Sequence, residues 1–155
     1  MTSPLRDPQA RIDGRWGPDA FADAFATAAV GMALLDLDGV YRKVNERFCE
    51  MLGRSASEVV GTRTVDLSHV EDVAMGEAVI SAAAAGRLEF HEAAKRFVRP
   101  DGSLVHVLRL TRLVRAPDGR PAYLFAQYVD VTRGVLRTDG LVRLGRFALQ
   151  DPPLD

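Results

Sequence analysis

The chain has a single cysteine, Cys49, in 155 residues, expected as a small buried hydrophobe. That scarcity excludes an internal disulfide and any zinc site built on several thiolates, and it agrees with a reducing compartment. A surplus of one charge is missing too: 20 Lys plus Arg stand against 21 Asp plus Glu, for a net charge of -1, so no positive field draws in a polyphosphate. Nucleic acid is therefore not an expected partner. No apolar run approaches the ~20 residues that span a bilayer, and the opening MTSPLRDPQARIDGRWGPD carries no apolar stretch of signal-peptide length. The expected setting is the cytoplasm, without membrane contact. Also missing are a Ser-His-Asp order, a glycine-rich phosphate loop and a CxxC pair, so the chain is not expected to be an enzyme.

What is present is a succession of turns and caps. Asp38-Gly39, Asp101-Gly102 and Asp118-Gly119 each separate apolar stretches, and Asp-Gly there signals a hairpin, since glycine takes positive φ without a Cβ clash. The last two pairs divide the run from Lys95 to Thr132 into three consecutive antiparallel strands, the first opening near Leu88. A first hairpin is expected from Gly31–Leu35 (GMALL), the DLDG turn of Asp36–Gly39, and Val40–Val44 (VYRKV).

Helical spacing fills the middle. Asn45 is placed to cap a helix whose Phe48, Met51 and Leu52 share a face and which Gly53 stops. Ser55 and Glu58 form a capping box for a second short helix ending at Gly61. Val70 to Gly86 predicts the longest helix, with Glu71 and Asp72 at its start, Glu77 and Ser81 on a polar side, and Val73, Ala74, Val79, Ile80 and Ala83 opposite. Ahead of these, Phe21 and Phe25 are four apart on a short helix opened near Asp19. Strands at both extremities can share one sheet, and the intervening helices can cross its face. The predicted fold is α+β, a five-stranded antiparallel sheet with helices packed on one face. Residues 1–18, rich in proline and charge, read as a flexible arm, and 19–132 as the domain.

Two strand features bear on the outer face. Arg109, Arg112 and Arg115 recur every third residue and are expected as solvated strand edges. Leu104, Val105, Val107, Leu108, Leu110 and Leu113 fall on both faces, so the sheet is expected to be covered twice: by the middle helices, and by the Phe21/Phe25 helix together with a partner chain.

From Asp19 to Thr132 the chain resembles the PAS domain family. The resemblance is carried by Asp36–Gly39 followed by Val44-Asn45, by Phe48 with Leu52-Gly53, and by Ser55, Glu58 and Gly61. It continues with Ser68–Asp72, the Arg99–Ser103 turn, the Pro117–Gly119 turn and the closing Asp130-Val131-Thr132. It implies a non-catalytic sensor, a homodimer that takes an unidentified small-molecule ligand and belongs to a longer signalling protein with an output domain. The alternative is a ligand-free interaction domain with a filled core. A photoactive flavin adduct is not expected, because Thr64 stands where the family's cysteine would be, and Gln127 and Tyr128 poorly match the flavin-reading strand. Haem is not expected either, because the long helix holds no histidine. His69, His91 and His106 are read as helix-flanking and strand residues, and no metal is assigned. The cofactor is unknown. A pocket, if present, is expected at Met32, Leu34, Phe48, Met51, Val79 and Ile80, residues that otherwise read as core. The signal is expected to exit at Asp130 and Thr132. Residues 133–155 resemble a linker helix toward a GAF or other output domain, capped by Asp139, with Leu141, Leu144 and Ala148 on one side.

Overall fold

The computed structural model describes residues 19–132. Helix α1 (Ala20–Thr27) leads into β1 (Gly31–Leu35) and β2 (Tyr41–Val44), followed by α2 (Glu46–Leu52), α3 (Ala56–Val59) and two 3-10 turns, Thr64–Leu67 and Val70–Asp72. Then come α4 (Val73–Ala84) and the meander β3 (Phe90–Val98), β4 (Leu104–Arg115) and β5 (Pro121–Asp130). The five strands form one antiparallel sheet of order β2-β1-β5-β4-β3. The meander's last strand therefore docks on the chain's first, with Gly31 opposite Tyr128 and Leu35 opposite Leu124.

Local chemistry sets the ends of these elements. Asn45 accepts from the Phe48 N–H at 3.0 Å, and Gly53 closes α2 at φ +64°. Ser55 completes only half of a capping box. Its hydroxyl accepts from the Glu58 N–H, while the Glu58 carboxylate receives the hydroxyl proton rather than the Ser55 N–H. In the DLDG turn the Asp36 carboxylate accepts from the Asp38 and Val40 N–H groups and from Arg42. Burial pushes the Asp36 carboxyl up, but these bonds outweigh it and hold it below its ordinary value.

Gly39 closes that turn at φ +77°, and a Cβ there would lie 2.4 Å from Ile80 Cδ1. Gly39→Ala combines left-handed strain with a clash into α4. It is expected to cost about 2–4 kcal/mol, read as a lowered urea midpoint at unchanged m-value.

The core lies between the sheet's inner face and α2, α3 and α4. Tyr41, Phe48, Phe97 and Tyr128 meet at its centre, with Phe48 stacked on Tyr128 at 4.3 Å and edge-on to Phe97 at 5.6 Å.

Three expectations need correction. The segment from Val70 to Gly86 is not one helix: Val70–Asp72 is a 3-10 turn. The Asp72 carboxylate is drawn to the Arg96 guanidinium and N–H, and the His69 N–H donates to the Arg96 carbonyl, which ties this stretch to β3. Cys49 is half-buried rather than fully interior. The Phe21/Phe25 stripe is split, because Phe25 is buried while Phe21 is 83% exposed. The arm of 1–18 and the linker of 133–155 lie outside the described residues.

Candidate ligand site

Period-2 alternation decides which side chains enter the core. On β3 the buried Phe97 faces inward, so Lys95, two residues earlier, must share that face. It is 4% exposed. Its Nζ donates to Thr64 Oγ1 at 2.9 Å and lies 4.6 Å from the centre of the Phe97 ring. Thr64 is positioned by the 3-10 turn after α3, and its hydroxyl also accepts from Tyr41 OH at 2.9 Å. The Tyr41 and Tyr128 hydroxyls are 3.2 Å apart. One polar chain thus joins β3, the 3-10 turn, β2 and β5 inside the core.

Arg109 belongs to the same inner face, with Val105, Val107, Thr111 and Leu113. It sits opposite Tyr128 on β5 and Ala93 on β3, diagonal to Lys95. Here the expectation of a solvated arginine is wrong: Arg109 is 6% exposed, because its parity follows the buried valines of β4. Arg112 and Arg115 do lie outside, Arg112 over the Phe90 ring and Arg115 on Glu89. Arg109 Nη2 contacts His91 Nδ1 at 3.1 Å. A guanidinium can only donate, so Nδ1 accepts and the ring proton sits on Nε2. Arg109 Nε has no hydrogen-bond partner among the described residues.

The electrostatics follow from this packing. Burial, then the field of Arg109, lowers Lys95 to about 7, with Asp72 acting the other way. Burial, then Arg109, also lowers His91. Burial raises both Tyr41 and Tyr128, so the two phenols stay protonated. Asp72, the one carboxylate among the described residues whose field reaches Lys95, is itself committed to Arg96 at 2.9 Å.

The family is now evident from both chain and fold. The PAS fold family matches residues 20–131. This chain is a PAS domain. It is 31% identical over 111 residues to the probable diguanylate cyclase DgcE of Escherichia coli strain K12, a match covering 72% of this chain and 10% of the cyclase. The chain thus spans about a tenth of that relative's length. Among solved structures, the PAS domain of an HTR-like protein from Haloarcula marismortui superposes with a TM-score of 0.61 at 24% identity, covering 71% of this chain and 88% of that one. An RNA-binding light-oxygen-voltage receptor superposes at 0.73 and 25% identity, covering 94% of this chain and 41% of that one.

Within this PAS domain, the six residues expected around a pocket do not all converge. Phe48, Met51 and Ile80 join one core cluster, and Val79 is buried on α4 outside it. Met32 and Leu34 alternate onto the opposite face of β1, half-buried beside Gln127 and Phe125. Ile80 also borders an open groove with Leu37, Asp38, Arg63, Glu77, Ser81 and Ala84, where Arg63 and Glu77 pair at 2.9 Å. Asp130 closes β5 and accepts from the Thr132 N–H, while Thr132 Oγ1 accepts from the His106 N–H. The exit is thus tied to β4. His69 caps the 3-10 turn through Nδ1, and His91 and His106 lie on β3 and β4.

No group of three His, Cys, Asp or Glu among the described residues could hold a metal ion. No described helix is long and apolar enough to cross a membrane. Lys95 and Arg109 are not among the residues expected at a pocket, although each shares parity with an apolar residue two positions away, Phe97 and Val107. That parity was the available signal.

Proposed function

We propose that this PAS domain is the sensing module of a signal-transduction protein, acting as a cytoplasmic homodimer and passing a ligand-dependent change to an output domain beyond Thr132. The kinship with a signalling protein supports the role. The observation that carries it is the position of Tyr128. Its hydroxyl belongs to the buried polar chain, it faces Arg109 across the sheet, and it lies two residues before Asp130 on the strand that leaves the domain. A ligand that prefers one arrangement of this cluster shifts β5, and with it the exit. Met32, Leu34, Leu108, Leu110 and Phe125, half-buried on the outer face, support dimerisation by offering apolar area to a second copy.

The domain itself is read as non-catalytic. Denaturing protein purified from its native cells and analysing the supernatant by mass spectrometry is expected to yield one stoichiometric small molecule, and light scattering is expected to give twice the monomer mass. Repeated empty supernatants from a dimeric protein would favour a second reading, a ligand-free interaction domain. The stacked Phe48 and Tyr128 rings that fill the core centre support that one.

A further inference from the structure

We propose that Lys95 and Arg109 form a binding site for a small oxyanion, a carboxylate or phosphate, inside the domain. The inference rests on the sensing role and names the class of ligand.

Buried charges in folded proteins are paired, because an isolated ion loses its hydration without compensation. Even partly exposed arginines have carboxylate partners: Arg96 pairs with Asp72 and Glu71, Arg63 with Glu77, and Arg115 with Glu89. Lys95 and Arg109 break the rule. Both are more than nine-tenths buried, and the groups bonded to them are the Thr64 hydroxyl and the His91 ring rather than carboxylates. Each raises the cost of the other's charge. Arg109 Nε, a donor with a fixed direction, lacks a partner among the described residues.

An oxyanion answers these deficits together. One oxygen accepts from Arg109 Nε and a second from Lys95 Nζ, two charge-assisted hydrogen bonds to one anion. The Tyr41, Thr64 and Tyr128 hydroxyls add further donors by rotating their protons. Ala93, half-buried between His91 and Lys95 on the inner face of the edge strand β3, adds only a methyl group beside the two cations.

The test is an amide NMR titration of the full chain at pH 6.5 with sodium acetate and with sodium phosphate, each against sodium chloride at matched ionic strength. A saturable shift centred on Thr64, Lys95, Arg109 and Tyr128 is expected with at least one of the two anions. The arm that saturates identifies carboxylate or phosphate as the favoured group. Binding at least tenfold weaker is expected in both Lys95→Met and Arg109→Met. Mapping in the wild type decides the matter even if a variant fails to fold. Shifts confined to exposed arginines such as Arg42 and Arg120, or affinity unchanged in both variants, overturn the proposal. The sensing role fails separately: anion binding without movement of the Asp130 and Thr132 amides sinks the sensor and keeps the site. A neutral molecule released from denatured protein, with no anion shift in the core, sinks the site and keeps the sensor.

Discussion

Lys95→Met is expected to raise stability at pH 7 by about 3 kcal/mol and to remove a pH dependence that the wild type shows between pH 7 and 9. Lys95 is lowered from 10.5 to about 7 by burial and by Arg109. Between those values the unfolded chain holds a proton that the folded chain has released, so wild-type stability rises with pH. Below about 7 the folded protein carries the charged amine at full cost. At ~1.4 kcal/mol per pKa unit, that cost is on the order of 5 kcal/mol. The methionine side chain has similar length and no charge; it forfeits the Thr64 hydrogen bond and the cation over Phe97, together about 2 kcal/mol.

Above pH 9 other groups act in the opposite sense. Cys49 is raised by burial, and Tyr41 and Tyr128 are raised by burial. Each then ionises more readily in the unfolded chain, and stability falls as pH rises further. Below 6.5 the lowered His91 adds its own rise with pH. The difference between wild type and variant, from urea midpoints at half-unit pH steps, isolates Lys95. Parallel curves would show that the amine titrates as an exposed lysine does and that the burial argument is wrong.

Asn45→Asp is the second large effect, a loss of about 4 kcal/mol despite replacing one good helix cap with another. Asn45 does more than cap α2. Its Oδ1 accepts from the Met32 and Phe48 N–H groups, and its Nδ2 donates to the carbonyls of Phe25 and Val30, each at about 3.0 Å. One side chain therefore joins α1, β1 and α2 while 2% exposed. An aspartate keeps both acceptor bonds but turns an oxygen toward two carbonyls, at a cost of about 1–3 kcal/mol for each donor bond lost, plus the burial of a charge. Asn45→Ala, which leaves all four groups unpaired without adding charge, is expected to lose about 3 kcal/mol. Chemical denaturation orders the three proteins. An aspartate variant within 1 kcal/mol of wild type would mean that capping alone sets the worth of this residue.

The order of elements was legible in the sequence because its signals are local. Asp36 and Gly39 need only their own turn, Asn45 and Gly53 their own helix, and the Asp-Gly pairs their own hairpins. These cues, together with the family resemblance, led to a five-stranded α+β domain without knowledge of any long-range contact. The helix expected from Val70 failed at its start because the competing partner, Arg96, lies 24 residues from Asp72. Helical periodicity carries no information about such a partner.

The site was legible only in part, and the reason is geometric. Alternation along β4 groups Arg109 with Val107 and Thr111, and along β1 groups Met32 with Leu34. Both faces of those strands carry apolar residues, so the pattern does not say which one the helices cover. Tertiary structure made that choice, burying Lys95 and Arg109 and turning Met32 and Leu34 away. It also assembled the polar chain from groups separated by 23, 31 and 87 residues. Hydrogen bonds of that span exist only once distant segments of the chain have packed together. Turns, caps and the number of strands follow from the order of residues alone, because their energies are local; the burial of two cations in the core depends on which face of the completed sheet the helices pack against.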